Sequence, residues 1–560
     1  MRTILFLVCL AFVKRSLQVD IAIVADVLDI TKQNGSFFDQ ALYFNSLKGN
    51  AQAVRSSLNN GADPKGQNQN GFTPLHAAAF SGHDVVVSIL LLYGSKVNSK
   101  SKKGATALHL ASINNHINVV NILLDKGANL NETDDYGRTS LWLVSFFGHL
   151  DLVTSFLEKG SDPNHRSYAT KAAPIYVAAQ ENHVEVIKTL LNSKVLVDVR
   201  TKNGHTALAV ASSRGHTDIV EILLDQGHGS STIWKMIASL NVSKYLGTQK
   251  VPNANVNGTD EAGQTPLHVA ASANRTGVIQ TLLDHQANVN HADSLGQTPV
   301  YCAVLMGQEL TVELLVENGA DLDLEDDDLM TPLYAAAYIG NHAVVEKLIS
   351  LGANKEKASV DGFTPLLVAS QQGHLWATQV LTESGANLSA ITFDGANILF
   401  WPSYFGHMHI LDYLKPKSLY LNHQDDRGRT AVWAATLGNR STVIEALADL
   451  GANVSISDNN AWQPIHIAAH LGHLKALKLL HSLGADLEAL TADGRTPVYI
   501  ASSVGHLSIV NYLLDSGAME NTATDFGWTP TFVATIRGHF RVVGALLNAR
   551  KDNLDVPIDN

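Results

Sequence analysis

Apolar and polar residues follow a pattern that repeats along most of the chain. Each period contains a short run of small and apolar residues and then a second stretch in which branched residues precede leucines by four positions. In one period, Val119 and Val120 are followed in this way by Leu123 and Leu124. An i, i+4 spacing of apolar side chains is typical of a helix that buries one face. Each period therefore predicts two short helices.

The start of the first helix is marked by the tetrapeptide Thr73-Pro74-Leu75-His76 and its relatives. Threonine suits the N-cap, and proline at the next position loses an N–H that has no helical partner. We call the first residue of each tetrapeptide the anchor. The anchors are Thr73, Thr106, Thr139, Ala173, Thr206, Thr265, Thr298, Thr331, Thr364, Asn397, Thr430, Gln463, Thr496 and Thr529. Their intervals are 33, 33, 34 and 33 residues, then 59, and then 33 eight times.

Helix ends are marked by glycine and asparagine. Nine residues after every anchor stands one of these two types, which tolerate the left-handed conformation at a helix end. These residues are Gly82, Asn115, Gly148, Asn182, Gly215, Asn274, Gly307, Gly340, Gly373, Gly406, Asn439, Gly472, Gly505 and Gly538. Most periods carry another glycine twenty-one residues after the anchor, such as Gly94 and Gly127, which predicts the end of the second helix.

The combined pattern closely resembles the ankyrin repeat, as in residues 71–79 followed by Gly82-His83. The resemblance covers roughly residues 38–550. It implies an all-α repeat solenoid, an ankyrin repeat stack of helix-turn-helix units with β-hairpin-like loops. It also implies protein recognition on the concave face formed by the loops and first helices. A single unit cannot bury both faces of its helices, so neighbouring units must pack on each other.

The period divides the chain into six segments. Residues 1–36 form a leader, 37–66 an N-terminal capping repeat without the Thr-Pro entry, and 67–228 a first arm of repeats. Residues 229–261 are expected to be a degenerate, shortened repeat, and they are either a bend or an irregular unit in a continuous stack. Residues 262–550 form a second arm, and 551–560 a tail.

Composition is that of a folded protein, with 45% hydrophobic and 16% charged residues among 560. The net charge of −12 makes nucleic acid an unexpected partner. The acidic run of Asp321, Asp323, Glu325, Asp326, Asp327 and Asp328 is either a solvated loop or a contact for a basic partner segment. The two cysteines, Cys9 and Cys302, cannot form a disulfide framework or a cysteine-based zinc site.

Histidine is the commonest metal ligand and proton carrier near neutral pH, and the chain has 24. Fourteen of them sit three or ten residues after an anchor, one or two in a repeat, and so read as framework residues. Phosphate-binding glycine loops, nucleophile elbows and zinc-protease helices are missing from the sequence. We therefore expect no enzyme activity, no catalytic or metal site and no cofactor.

The amino terminus leaves the compartment open. The apolar run Ile4 to Val13 has the length of a signal-peptide core and is too short to span a bilayer, but Lys14 and Arg15 follow it at once. A cytoplasmic location is expected, with secretion as the alternative if residues 1–13 act as a signal. Eight glycosylation sequons would matter only in a secreted chain: Asn34, Asn131, Asn241, Asn257, Asn274, Asn387, Asn439 and Asn453.

Large apolar residues stand where the family usually presents polar, variable ones to a partner. They are expected at the end of the first helix or just before the anchor, and the alternative is packing between neighbouring first helices. The candidate partner-binding residues are Phe80, Phe146, Phe147, Leu305, Met306, Tyr338, Ile339, Tyr404, Phe405, Leu437, Leu471, Phe363, Trp462 and Trp528. Such exposed apolar lines mark interaction surfaces.

The expected function is that of a non-catalytic scaffold or adaptor, monomeric and without a transmembrane span, which binds proteins or peptides in the ankyrin groove. Two alternatives stay open: a secreted ankyrin-repeat effector, and the regulatory or substrate-receptor subunit of an enzyme complex.

Overall fold

The computed structural model describes residue 27 and residues 36–225, 253–415, 417 and 420–554. Within these residues the chain forms 30 helices and no strand, which confirms the expected all-α repeat fold. The first five pairs are α1 (Phe37–Lys48) with α2 (Ala51–Asn59), α3 (Pro74–Phe80) with α4 (Asp84–Leu92), α5 (Ala107–Ile113) with α6 (Ile117–Asp125), α7 (Ser140–Phe147) with α8 (Leu150–Glu158), and α9 (Pro174–Gln180) with α10 (Val184–Leu191).

The next five pairs are α11 (Ala207–Arg214) with α12 (Thr217–Leu224), α13 (Pro266–Ser272) with α14 (Thr276–Asp284), α15 (Pro299–Leu305) with α16 (Glu309–Glu317), α17 (Pro332–Ile339) with α18 (His342–Ser350), and α19 (Pro365–Gln372) with α20 (Leu375–Glu383). The last five are α21 (Phe400–Phe405) with α22 (Met408–Leu414), α23 (Ala431–Leu437) with α24 (Ser441–Asp449), α25 (Pro464–Leu471) with α26 (Leu474–Ser482), α27 (Pro497–Val504) with α28 (Leu507–Asp515), and α29 (Pro530–Ile536) with α30 (Phe540–Leu554).

Most anchors cap the first helices as the sequence predicts. Ala173 makes no side-chain cap bond, and α21 begins only at Phe400, after the anchor Asn397, with Leu399 at its N-cap. Thr73 is extended, with φ −95°, and its hydroxyl accepts the backbone N–H of His76 at 3.4 Å. The imidazole of His76 in turn accepts the backbone N–H of Thr73 at 3.0 Å, so each residue satisfies an amide of the other. Such reciprocal bonds form a capping box with histidine in the place that glutamate usually takes.

All fourteen glycine and asparagine residues nine positions after the anchors have positive φ, between 57° and 90°. The prediction of a left-handed helix end is thus confirmed. Lys194 and Gln286 adopt the same conformation where the second helix of two repeats lacks its glycine, with φ of 60° and 64°. A side chain with a Cβ is strained there.

The core lies within and between the helix pairs. Val119, Val120 and Leu123 of α6 are fully buried, which confirms the predicted stripe. In the first helices small residues such as Ala77 and Ala78 are also fully buried, and within each of the two compact units the first helices of neighbouring repeats pack on each other. Small residues at this place let the backbones approach closely.

The chain divides into two compact units, Met1–Ser294 and Leu295–Asn560. The first unit contains α1 to α14 and the second α15 to α30. Most of the predicted degenerate repeat, namely residues 229–252 of 229–261, lies outside the described residues. The helices on its two sides are direct neighbours, because α11 packs on α13 and α12 on α14. The bend proposed at this place stays a prediction.

The C-terminal end of the array lies beyond the expected boundary. The last helix runs to Leu554, four residues into the predicted tail. Arg550 occupies the position where a glycine ends the second helix in most other repeats, so nothing in the sequence stops the helix there. The possible signal peptide, residues 1–13, lies outside the described residues.

Candidate protein-binding surface

The hairpin tips that precede each anchor are joined from one repeat to the next by a backbone hydrogen bond. In the second unit the N–H of Val360 donates to the carbonyl of Asp328 at 3.2 Å, and that of Phe393 to Asp361 at 3.1 Å. The N–H of Asp426 continues the series to Asp394 at 3.0 Å. These bonds hold the hairpin tips in a row at the spacing of the repeats.

The histidine after the helix-ending glycine fixes the other end of the first helix. The ring of His374 lies 3.0 Å from the carbonyl of Tyr338, and that of His407 lies 3.0 Å from Gln371, each one repeat back. The same bond to the preceding repeat is made by His83, His116, His149, His183, His216, His473, His506 and His539. In two repeats an arginine, Arg275 or Arg440, makes it instead, at 3.2 Å.

This contact explains why glycine is needed at the helix end beyond its backbone conformation. A Cβ on Gly340 would lie 2.4 Å from the ring of His374, and one on Gly82 would lie 2.5 Å from the ring of His116. The histidine of the next repeat therefore packs directly on the glycine. In these repeats the end of the first helix, where candidate binding residues stand, is thus held by the following repeat.

Several candidate binding residues are exposed in the second unit. Tyr338 has 52% of its surface accessible, and Met306, Ile339, Phe405, Leu471 and Trp528 are also exposed. Two further exposed residues at the same helix end, Val504 and Ile536, were missed by the sequence reasoning, although the fixed offset from the anchor identifies them. We call the following residues the apolar row: Met306, Tyr338, Ile339, Phe405, Leu471, Val504 and Ile536.

The other candidates are more enclosed. Phe80, Phe147, Leu305, Tyr404, Leu437, Phe363 and Trp462 are half-buried. Phe146 is only 7% exposed, and its ring stacks on Trp142 with centroids 5.6 Å apart. It belongs to a cluster with Leu143, Ala172 and Val177, so for this residue the packing alternative describes the structure.

The aromatic residues before the anchors connect the hairpins to the first helices. The ring of Phe363 lies 6.1 Å from that of Trp401, which stacks on Phe405 at 6.2 Å. Trp462 lies 5.6 Å from the ring of His470, and Trp528 lies 5.5 Å from Phe532. The hairpin aromatics thus lie between the hairpin tips and the helix ends, as expected of one continuous surface.

The first unit has a different surface at the same positions. Beyond Phe147 the residues that end its first helices are polar, for example Gln180 with Glu181 and Ser213 with Arg214. The apolar row is a property of the second unit.

Buried histidines serve the fold. His76 is fully buried, and its Nε2 lies 3.0 Å from the carbonyl of Ala105 in the next repeat. Burial lowers its pKa to about 4, so the ring is neutral at physiological pH and its Nε2–H donates to that carbonyl. His109 and His466 make the same kind of bond, at 3.1 and 2.8 Å, and burial lowers the pKa of both. Within the described residues no three histidine, cysteine, aspartate or glutamate side chains are grouped so as to hold a metal ion.

The carboxylates of the acidic run lie in different environments. Asp326 is buried and accepts hydrogen bonds from the hydroxyl of Tyr301 at 2.8 Å and the amide of Met330 at 2.9 Å. Glu325 pairs with Lys357 at 2.9 Å. Asp327 and Asp328 are exposed at the hairpin tip.

An arginine site in the second unit was not foreseen. The guanidinium of Arg429 lies over Phe400 at 5.0 Å and Trp433 at 5.5 Å, and it pairs with Asp425 at 2.6 Å. Arg138 repeats the arrangement in the first unit, over Tyr136 and Trp142 and paired with Asp134. The signal in the sequence is an arginine before a threonine anchor, with aspartate four residues earlier and tryptophan four residues later.

The regions of the chain that match a known protein family coincide with these repeats. A family model described as ankyrin repeats (3 copies) matches residues 40–134, 141–232, 236–326, 319–392, 399–491 and 465–557. The chain belongs to the ankyrin repeat family. Ankyrin repeats are in general protein–protein interaction modules, and the family is generally non-catalytic. No helix in the described part of this family member is long and apolar enough to cross a membrane.

Similar curated proteins share only part of this ankyrin repeat chain. It is 31% identical over 113 residues to a putative ankyrin repeat protein of fowlpox virus, FPV228, covering 20% of this chain and 19% of that protein. It is 30% identical over 158 residues to the probable E3 ubiquitin-protein ligase XBOS32 of Oryza sativa subsp. japonica, covering 21% and 32%. A second fowlpox protein, FPV031, is 33% identical over 125 residues, covering 20% and 37%.

Proposed function

We propose that this ankyrin repeat chain is a non-catalytic scaffold or adaptor that holds partner proteins on the first helices and hairpins of its second unit. The apolar row is the observation that carries the proposal. Its members are exposed at the ends of helices in which other apolar residues, such as Leu333 and Val498, are fully buried. An exposed apolar line of this kind is typical of an interaction surface.

The shape of the surface supports the same role. Backbone bonds between hairpin tips and histidine bonds between repeats hold the row before any partner arrives. A surface that is already ordered loses little conformational freedom on binding. Aromatic side chains such as Tyr338 and Phe405 are the residue type in which binding energy is concentrated.

The test compares two double variants of the full chain by proximity labelling in the source cell. Tyr338→Ser with Phe405→Ser removes the centre of the apolar row. Leu310→Ser with Trp376→Ser removes apolar residues that are even more exposed, from α16 and α20. We expect the first pair to lose a set of labelled neighbours that the second pair keeps, with unchanged melting temperatures. Loss of the same neighbours in both pairs would contradict the proposal.

We also propose that the scaffold is cytoplasmic. A monomeric cytoplasmic scaffold is expected to keep Met1, or to lose it by simple removal, whereas a secreted effector is expected to begin near Phe12. Mass spectrometry of the N-terminal peptide decides between the two. A chain cleaved near Phe12 would also make its sequons available for glycosylation.

The role of a substrate receptor in an enzyme complex is a second candidate, because part of the chain is similar to a probable E3 ubiquitin-protein ligase. Co-purification of ubiquitin-ligase activity with the wild-type chain, and its loss in the Tyr338→Ser, Phe405→Ser variant, would support it. Under either role the exposed tip of the acidic run, Asp327 and Asp328, is available to a basic segment of a partner.

A further inference from the structure

The negative charge of the molecule is concentrated in the unit that carries the apolar row. Residues 295–560 contain roughly twice as many Asp and Glu as Lys and Arg, whereas the two classes nearly balance in residues 1–294. Six of these carboxylates stand on hairpin tips or beside them: Asp327, Asp328, Asp361, Asp394, Asp426 and Asp525. Backbone bonds between neighbouring tips hold the first five in register.

Several of these carboxylates have no cation of their own. Within the described residues no lysine, arginine or histidine nitrogen pairs with Asp327, Asp328, Asp361 or Asp426, and all four are exposed. Like charges held in a row raise one another's electrostatic energy, and a cationic ligand relieves it.

The acidic tips and the apolar row are connected through aromatic rings. From Asp361 the hairpin continues to Phe363, whose ring contacts Trp401 at 6.1 Å, and Trp401 stacks on Phe405. A segment lying across one or two repeats would therefore meet carboxylates at one edge, aromatic faces in the middle and apolar side chains at the other edge.

Arg429 shows how the same kind of surface receives a cation. Its guanidinium lies over the rings of Phe400 and Trp433, beside the carboxylates of Asp425 and Asp394. Aromatic faces and carboxylates both attract a guanidinium, and together they hold it in one orientation. The chemistry that recognises an arginine is thus present within the fold itself.

We infer that the surface of the second unit takes up a basic partner segment that also carries bulky apolar side chains, with cations at the hairpin tips and apolar groups on the apolar row. This inference rests on the proposed function and adds the chemical class of the partner. The charge complementarity sets the direction and speed of encounter, while the apolar contacts supply most of the affinity.

The experiment measures fluorescence anisotropy of three labelled peptides of equal length with the full chain. One peptide alternates lysine with leucine, one alternates glutamate with leucine, and one alternates lysine with serine. Asp327→Lys, Asp361→Lys and Asp426→Lys together reverse the hairpin row. The matched control, Glu346→Lys, Glu445→Lys and Asp515→Lys, changes the net charge by the same amount on exposed positions of α18, α24 and α28.

We expect saturable binding of the lysine–leucine peptide, which weakens as salt is raised, and about a tenfold loss of affinity in the hairpin variant with little change in the control. The other two peptides should bind much more weakly. Equal binding of the glutamate–leucine or lysine–serine peptide, equal losses in both variants, or no binding of any peptide would overturn the inference.

Two provisions keep the outcome interpretable. If the lysine variant does not fold, as judged by circular dichroism, the triple Asp→Asn variant at the same positions removes the charges without adding any. A failed peptide test leaves the proposed function to be judged by the labelling of partners with the Tyr338→Ser, Phe405→Ser variant, which does not depend on the charge of the partner.

Discussion

The buried histidine at the third position after an anchor predicts an acid-sensitive stability that can be assigned to one residue. His76 is held as a neutral ring between the backbone N–H of Thr73, 3.0 Å away, and the carbonyl of Ala105, also 3.0 Å away. Protonation at Nδ1 would place a second N–H against the amide of Thr73, inside a fully buried site. His76 therefore binds a proton more weakly in the folded chain than in the unfolded chain.

The size and sign of the effect follow from the pKa. The ordinary value of 6.5 applies to the unfolded chain, and burial lowers the pKa of the folded state to about 4. Between these values the unfolded chain binds a proton at His76 that the folded chain does not, so the contribution of His76 to stability falls as the pH falls from 6.5 to 4 and does not change outside this window. A shift of this size corresponds to a loss of about 3 kcal/mol.

Urea unfolding at a series of pH values from about 7 to about 4 measures this loss, with His76→Tyr as the reference. Tyrosine occupies the corresponding position naturally at Tyr301 and Tyr334. The variant is expected to be less stable at neutral pH but to lose about 3 kcal/mol less than the wild type on acidification. If the two chains lose the same stability across the window, His76 does not carry the effect.

Three further predictions concern stability alone and are read by thermal or urea unfolding. Ala461→Gly should stabilise by about 1 kcal/mol, since Ala461 has φ 59° at a hairpin position where other repeats have glycine; an unchanged midpoint would count against strain there. Gly82→Ala should lower the free energy of unfolding clearly more than Gly94→Ala does, because both glycines have left-handed backbones but only Gly82 contacts the histidine of the next repeat. Equal losses would mean that the histidine ring can move aside without an energetic penalty. Phe146→Ala should lower the free energy of unfolding by about 3 kcal/mol, because Phe146 is buried, and Tyr338→Ala should lower it by less than about 0.5 kcal/mol, because Tyr338 is exposed. The reverse order would contradict the packing described.

The sequence is sufficient to predict the repeat, its caps and its helix ends, because each depends on residues within one repeat. Thr73 and His76 cap a helix in whatever array they stand, and Asn115 ends one for the same local reason as Gly82. The fold and the framework role of the histidines could therefore be predicted without the structure.

Exposure of the candidate binding residues could not be predicted in the same way, because it depends on the neighbouring side chains. Phe146 and Tyr338 occupy the same offset from their anchors, yet Phe146 is covered by Trp142 while Tyr338 is exposed. The arginine site at Arg429 likewise involves Phe400, in the preceding repeat. Contacts between repeats combine two residues about one period apart, and a single-repeat pattern does not contain them.

The direction of the bond made by the histidine after each helix-ending glycine has a consequence for how the protein is made. His374 donates to a carbonyl 36 residues earlier, and His407 does the same. The acceptor has thus always left the ribosome before its donor. A newly synthesised repeat carries the group that attaches it to the part of the chain made before it, so this bond can form during translation as soon as the repeat has left the ribosome, without waiting for the sequence still to come.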